Sequence, residues 1–250
     1  MAKKLYFFLL LSTVAICSAH GDWEIVNTVT KGHAHITAST NYLWSVNSAH
    51  EIYRCVRPCT GKWVRVDGSL MQIDASDDEV WGVNKAHQIF KRPVDGSGRW
   101  TRVGGGLKHV SASGNGYIWG VNKHDHIYRC KKPCSGQWIK LDGRLKQVDA
   151  GYAYVYGVHS GGTAYARPVD GSGGWRHIPG VRMQHITGSG KDDIFASTAQ
   201  GDVYRCKKPC VGQWEKMPTN YNKLTQCDAS FDAIFGVNSG GSIYRHSTGK

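Results

Sequence analysis

A five-residue phrase returns six times along the chain. It reads HITAS from His35, QIDAS from Gln72, HVSAS from His109, QVDAG from Gln147, HITGS from His185 and QCDAS from Gln226, at intervals of 37, 37, 38, 38 and 41 residues. A second phrase follows each first: WSVN at Trp44, WGVN at Trp81 and Trp119, YGVH at Tyr156, FAST at Phe195 and FGVN at Phe235. A third is an apolar–aromatic pair: Ile52-Tyr53, Ile89-Phe90, Ile127-Tyr128, Ala164-Tyr165, Val203-Tyr204 and Ile243-Tyr244. A fourth is a lone Trp in a short strand, at Trp63, Trp100, Trp138, Trp175 and Trp214. Four short strands in a unit of this length is the size of a propeller blade. The 31 Gly and 21 Trp plus Tyr residues suit an all-β chain of tight turns and aromatic strands. The small residues of the first phrase fit the crowded axis, and the Trp strand fits the wide rim.

One strand is missing from this count. The sixth unit runs out at Lys250 with no Trp strand, whereas DWEI at Asp22–Ile25 matches QWEK at Gln213 in unit five. The reading is therefore a six-bladed β-propeller over 20–250. Residues 22–26 complete the last blade, and Trp23 takes the place of the other five rim tryptophans. Closure of this kind removes the exposed edge between first and last blades.

The units alternate. His heads the odd ones (His35, His109, His185) and Gln the even ones (Gln72, Gln147, Gln226). Odd units carry the loops CVRPCTG, CKKPCSG and CKKPCVG, where units two and four carry RPVDGSG. This describes three copies of a two-blade unit, set about 120° apart. It also disposes of a tempting catalytic reading. RPVDGSGGW around Ser172 resembles a serine-nucleophile loop, but Ser97 repeats it and no His/Asp partners recur with either. Both serines are read as turn residues, and no acid/base pair marks the chain as an enzyme.

The first 19 residues read as a secretory signal: Lys3 and Lys4, an apolar stretch from Leu5 to Ile16, and small residues before a cut after Ala19. The apolar run is shorter than the ~20 residues that span a bilayer, so no membrane insertion is expected. Export permits disulfides. The expected pairs are Cys55–Cys59, Cys130–Cys134 and Cys206–Cys210. Cys227, in the apolar slot held elsewhere by Ile36 or Val110, is expected as a buried free thiol. The formal charge of +12 leaves +10 once Lys3 and Lys4 are removed, which suits anionic partners. No nucleic-acid motif accompanies that charge.

The repeated Q-x-D-A-S … W-G-V-N … I-Y-R-C-x-x-P-C-x-G-x-W resembles the tectonin β-propeller lectins, most closely the fish-egg lectins and more distantly tachylectin-1. The likeness covers nearly all of the mature chain. It implies a six-bladed, non-enzymatic, secreted lectin. It also implies binding to N-acetylglucosamine-type glycans and bacterial lipopolysaccharide, in innate immunity or egg defence. A structural egg-coat or scaffold propeller without sugar binding is the alternative. Fish-egg lectins tend to carry a Cys near the mature N-terminus; here that region has none, and Cys227 lacks such a partner.

Two sets of residues are candidates for contact with glycans. Asn47, Asn84, Asn122 and Asn238 start the loops after the second strand and could offer amides to sugar hydroxyls, with aromatics nearby for the sugar's C–H face. The competing role for each is to start a turn. On the opposite face the odd hairpins carry Arg54 and Arg57, then Arg129, Lys131 and Lys132, then Arg205, Lys207 and Lys208, read as an anionic-glycan surface. His33/His35 and His124/His126 each place two imidazoles on one strand face. A third ligand is not visible along the chain, so neither a metal nor any other cofactor is expected.

Overall fold

The computed structural model describes residues 23–26, 32–218 and 223–248; the expected signal peptide and Asp22 lie outside them. The described strands form six four-stranded antiparallel sheets. Blade 1 runs His33–Ala38, Tyr42–Asn47, Ile52–Val56 and Val64–Val66, and blade 2 runs Gln72–Ala75, Glu79–Val83, Ile89–Pro93 and Thr101–Val103. Blade 3 is His109–Ser111, Tyr117–Val121, His126–Lys131 and Ile139–Arg144; blade 4 is Gln147–Ala150, Tyr154–Val158, Ala164–Pro168 and Arg176–Ile178. Blade 5 is His185–Thr187, Asp193–Ser197, Val203–Lys207 and Glu215–Lys216. Blade 6 takes Leu224–Ala229, Ala233–Asn238 and Ile243–Ser247 from the end of the chain and Glu24–Val26 from its beginning. Glu24 pairs with Arg245 and Val26 with Ile243, so the ring closes as the repeat count requires.

Packing lies between blades rather than within them. A sheet buried on both faces has two apolar sides to cover, and each gap between neighbours holds its own core cluster. Between blades 1 and 2, for example, Trp44, Ile52, Leu70, Ile73 and Val80 meet. The closing gap between blades 6 and 1 packs Val26, Ile36, Leu43, Phe235 and Ile243. Each rim tryptophan precedes its outermost strand by one residue, and Trp100, Trp138, Trp175 and Trp214 lie over the link from the preceding blade. The indole N–H groups of these four donate to that link: Trp100 to Asp67 O (2.7 Å), Trp138 to Gly104 O (2.7 Å), Trp175 to Asp142 O (3.0 Å) and Trp214 to Pro179 O (3.0 Å). Gly180, at φ 141°, shows how tight this is: a Cβ there would stand 2.3 Å from Trp214 Cδ1.

The alternation of His and Gln has a structural cause. Each even-blade Gln copies a peptide group. Gln72 accepts from Val110 N and donates to Val110 O, both at 2.9 Å; Gln147 does the same for Ile186 and Gln226 for Ile36. Two residues deeper, the even-blade aspartates complete a belt around the axis. Asp74 accepts Thr37 Oγ1 from blade 1 and Ala112 N from blade 3. Asp149 accepts Ser111 Oγ and Gly188 N, and Asp228 accepts Thr187 Oγ1 and Ala38 N. Every blade is thus tied to both neighbours, including 6 to 1.

Candidate functional site

Three places in this frame carry chemistry: clefts at the seams where an odd blade meets the following even blade, the hairpins of the opposite face, and the axis.

At the seam of blades 1 and 2, Phe90 and Trp100 wall a cleft of ≈ 230 Å³ floored by Ile52, Gly68, Ser69 and Leu70, with Asn84 at its side. The seam of blades 3 and 4 repeats it position for position. Tyr165 and Trp175 form the wall, Ile127, Gly143, Arg144 and Leu145 the floor, and His159 stands where Asn84 stood, around ≈ 320 Å³. At the third such seam the matching positions are Val203, Leu224, Tyr244 and Trp23, which pack together. Each wall Trp is fixed from behind. Trp100 meets the buried Trp44 edge-on at 6.2 Å, and Trp175 meets Trp119 at 6.1 Å. Half-exposed aromatic faces beside backbone and polar groups suit a ligand with one apolar face and hydroxyls on its rim.

The four asparagines proposed for sugar contact hold their turns. Asn84 Oδ1 accepts from Ala86 N (3.0 Å) and Gln88 N (2.9 Å), and its amide N donates to Gln88 Oε1. Asn47 accepts from Glu51 N and donates to Glu51 Oε2. Asn122 accepts from His124 N and His126 N, and Asn238 from Ser242 N. The Asn oxygen is what lets these loops turn. Of the two sequence roles, turn formation is the one their amide oxygens serve, and Asn84 also lines a cleft.

The hairpin cations divide in the same way. Arg57 reaches Asp232 of blade 6 at 2.7 Å and also Ser39 O, while Lys132 reaches Asp78 of blade 2 at 3.3 Å. Lys208 donates to Gly188 O (2.8 Å) and to Gly190 O, and burial lowers its pKa. Arg54 lies 5.1 Å over Tyr42, Arg129 lies 4.7 Å over Tyr117, and Arg205 pairs with Asp193 at 2.8 Å. Lys131 and Lys207 stand exposed at matching positions. Disulfides join Cys55–Cys59, Cys130–Cys134 and Cys206–Cys210, with Cα separations of 5.6–5.7 Å. Cys227 is a fully buried free thiol, pushed up in pKa by that burial. Ser172 Oγ bonds only its own turn, at Asp170 Oδ1 (2.7 Å).

On the axis, His35, His109 and His185 face one another, with ring centroids 5.8–6.0 Å apart. They sit at the mouth on the Asn-loop side, below Lys108 and Lys146. Burial lowers the pKa of His35 to about 4 and of His185 to about 3, and holds His109 well below its ordinary value. Deeper, Asp74, Asp149 and Asp228 cluster with raised pKa values, again from burial first; Asp228 reaches about 7. Along the sequence His35 pairs only with His33, and His109 and His185 have no histidine neighbour. The three rings are brought together from symmetry-related units, a signal present in the rule that His heads every odd unit.

A closed six-bladed propeller of three two-blade units, with matching clefts at two of the unit seams, is a ring of repeats. The chain belongs to the tectonin family: the Tectonin domain matches residues 32–221. No curated protein matches it. Among solved structures it is similar to virginiamycin B lyase from Staphylococcus aureus, with TM-score 0.62 and 14% identity, covering 90% of this chain and 99% of that one. It is also similar to human WBSCR16, with TM-score 0.59 and 11% identity over 88% of this chain and 73% of that one. YCF48 from Cyanidioschyzon merolae gives TM-score 0.56 and 12% identity over 90% and 98%. At these identities the likeness is one of fold.

Proposed function

We propose that the protein is an exported, non-catalytic lectin that binds N-acetylglucosamine-type glycans and bacterial lipopolysaccharide through the seam clefts. The observation that carries this reading is the repetition of one aromatic-walled cleft at two seams, with its parts present at the third. The wall aromatics offer a face to the apolar side of a pyranose, while Ser69 and Arg144 stand at matching floor positions for hydroxyl or anionic groups. Such shallow sites bind one sugar weakly. Two of them, on units set about 120° apart, give strength by avidity on a densely glycosylated surface, where ~10²–10⁴-fold gains are ordinary. Exposed Lys131 and Lys207 add salt-sensitive attraction to anionic glycolipid. The export signal over residues 1–19 and the three disulfides fit an extracellular setting in egg or innate defence.

The test is a glycan array with and without free N-acetylglucosamine, run on the mature protein and on S69W and R144W, which fill the two clefts from exposed floor positions. Binding to amino-sugar polymers that falls with each single change, and by more than tenfold in the double variant, is the expected result. K131E/K207E should weaken lipopolysaccharide binding more than binding to a neutral N-acetylglucosamine polymer. No binding to any amino-sugar glycan would leave the scaffold role. Binding that ignores both Trp substitutions would move the sugar site away from the seams.

A further inference from the structure

The imidazoles on the axis are furnished unlike any other polar cluster among the described residues. The ring nitrogens of His35, His109 and His185 are buried; those of His35 and His109 make no hydrogen bond, and His185 has only the Cys227 main chain beside it. Buried polar atoms are nearly always partnered, so this cluster of orphaned imidazole nitrogens requires an account. Packing alone does not supply it. The even-blade residues of the same layer, Gln72, Gln147 and Gln226, bond main chain on the neighbouring blade, so a satisfied side chain is available at this depth. The odd positions carry instead the side chain best suited to ligate a metal, three times, aimed at one point. One nitrogen from each ring lies within 4.8 Å of the other two. Three nitrogens on a tetrahedral zinc, at bonds of ~2.0–2.1 Å, stand ~3.3–3.5 Å apart, which small rotations of the rings would reach.

We infer that His35, His109 and His185 form a three-imidazole site for one borderline divalent transition metal, Zn²⁺ by preference, on the propeller axis. Burial keeps the three rings neutral near pH 7, which is the ligating form. An all-nitrogen donor set selects zinc and its neighbours over Ca²⁺ and Mg²⁺, which take oxygen. The fourth position faces the mouth. There Lys108 is held by Asp125, and Lys146 bonds Gln184 Oε1 at 2.9 Å. Those ammonium groups favour an anion, such as chloride, hydroxide or a carboxylate, as the fourth ligand. The aspartate triad one layer deeper is different: its carboxylates accept hydrogen bonds from both flanking blades and are engaged in joining the ring. A metal on the imidazoles would link blades 1, 3 and 5 directly, each from a separate two-blade unit.

The test uses the untagged mature protein, stripped with chelator and titrated calorimetrically with Zn²⁺, with Co²⁺ absorption as a second readout. One equivalent should bind, Co²⁺ should give the intense visible bands of four-coordinate geometry, and Zn²⁺ but not Ca²⁺ should raise the unfolding temperature with concentration. H109Q places the even-blade residue in the odd slot, so it keeps the layer filled and the fold intact. It should weaken Zn²⁺ binding by more than the ~10–100-fold that loss of an outer-shell partner costs. H124A/H126A, which removes the exposed histidine pair, should bind as the parent does. Absence of stoichiometric binding by the folded parent overturns the assignment. So does binding that survives H109Q, or binding lost in H124A/H126A.

Discussion

The hairpins leading to the outermost strands come in two kinds, and one repeat position distinguishes them. In odd blades it is Cys55, Cys130 or Cys206; in blades 2 and 4 it is Arg92 or Arg167. Both devices pin a turn at the rim. The disulfide closes a loop of sequence separation 4 within its own blade. The arginine does more. Arg92 donates to Ser97 O (3.2 Å) and Gly98 O (2.6 Å) of its hairpin, pairs with Asp67 in the link from blade 1, and lies 5.8 Å from the Trp100 ring. Arg167 does the same with Gly171 O, Asp142 and Trp175. A covalent bond between near neighbours fixes only local shape, whereas the guanidinium fork reaches across the seam as well. Odd blades obtain their cross-seam contact from separate residues, such as Arg57 to Asp232 and Lys132 to Asp78.

Loss of the arginine should cost the hairpins most. R92A removes several charge-assisted hydrogen bonds from a buried side chain and releases both the hairpin and the back of the cleft wall. A loss of about 2–4 kcal/mol is expected, read as a lower urea midpoint with m unchanged. R167A should cost a similar amount. C130S/C134S should cost less, about 2 kcal/mol at most, because so short a loop constrains the unfolded chain little. If the disulfide variant proves the more damaged, the odd hairpins hold their blades more firmly than their local reach indicates.

The smallest effect separates the two chemically. Hydrogen bonding to Arg92 and Arg167 lowers the pKa of Asp67 and Asp142 below the ordinary carboxylate value. Groups with a depressed folded pKa stabilise the fold above their unfolded pKa, near 4 for Asp, and lose that contribution as pH falls through the lowered value. Amide exchange at Ser97 and Gly98 should therefore quicken below about pH 4 relative to Thr60 and Gly61, whose disulfide does not titrate. Parallel acceleration in both hairpins would show that the carboxylate pairs contribute nothing separable.

Most of the frame was legible because it is periodic. Recurrence at Gln72, Gln147 and Gln226 announces blades, and the unmatched Trp strand announces where Trp23 must go, since an edge left open in a ring is a visible deficit. What stayed hidden is which atoms a side chain meets once blades face one another. Asn84 and Asn238 carry the same label as sugar ligands would, yet their oxygens are taken by main-chain N–H groups two to four residues on. Arg57 and Lys208 read as free surface charge, but blade packing brings Asp232 and the Gly188 carbonyl to them. The clefts were not legible as sites because their halves, such as Ile52 and Trp100, lie nearly 50 residues apart. The axial histidines illustrate the same point. Symmetry, not sequence proximity, assembles them.

The strand Glu24–Val26 has a consequence in time. It is the first part of the ring to be synthesised, and its partner Ile243–Ser247 is the last. For the whole of translation the earliest strand has nothing to pair with, while five blades can form in order behind it. The ring therefore closes only once Ile243–Ser247 has been made, and closure must gather strands separated by some 220 residues of sequence, an entropic cost that local hairpins never meet. Moving that strand to follow Ser247 would turn a ring that waits for its own beginning into one that is built blade after blade.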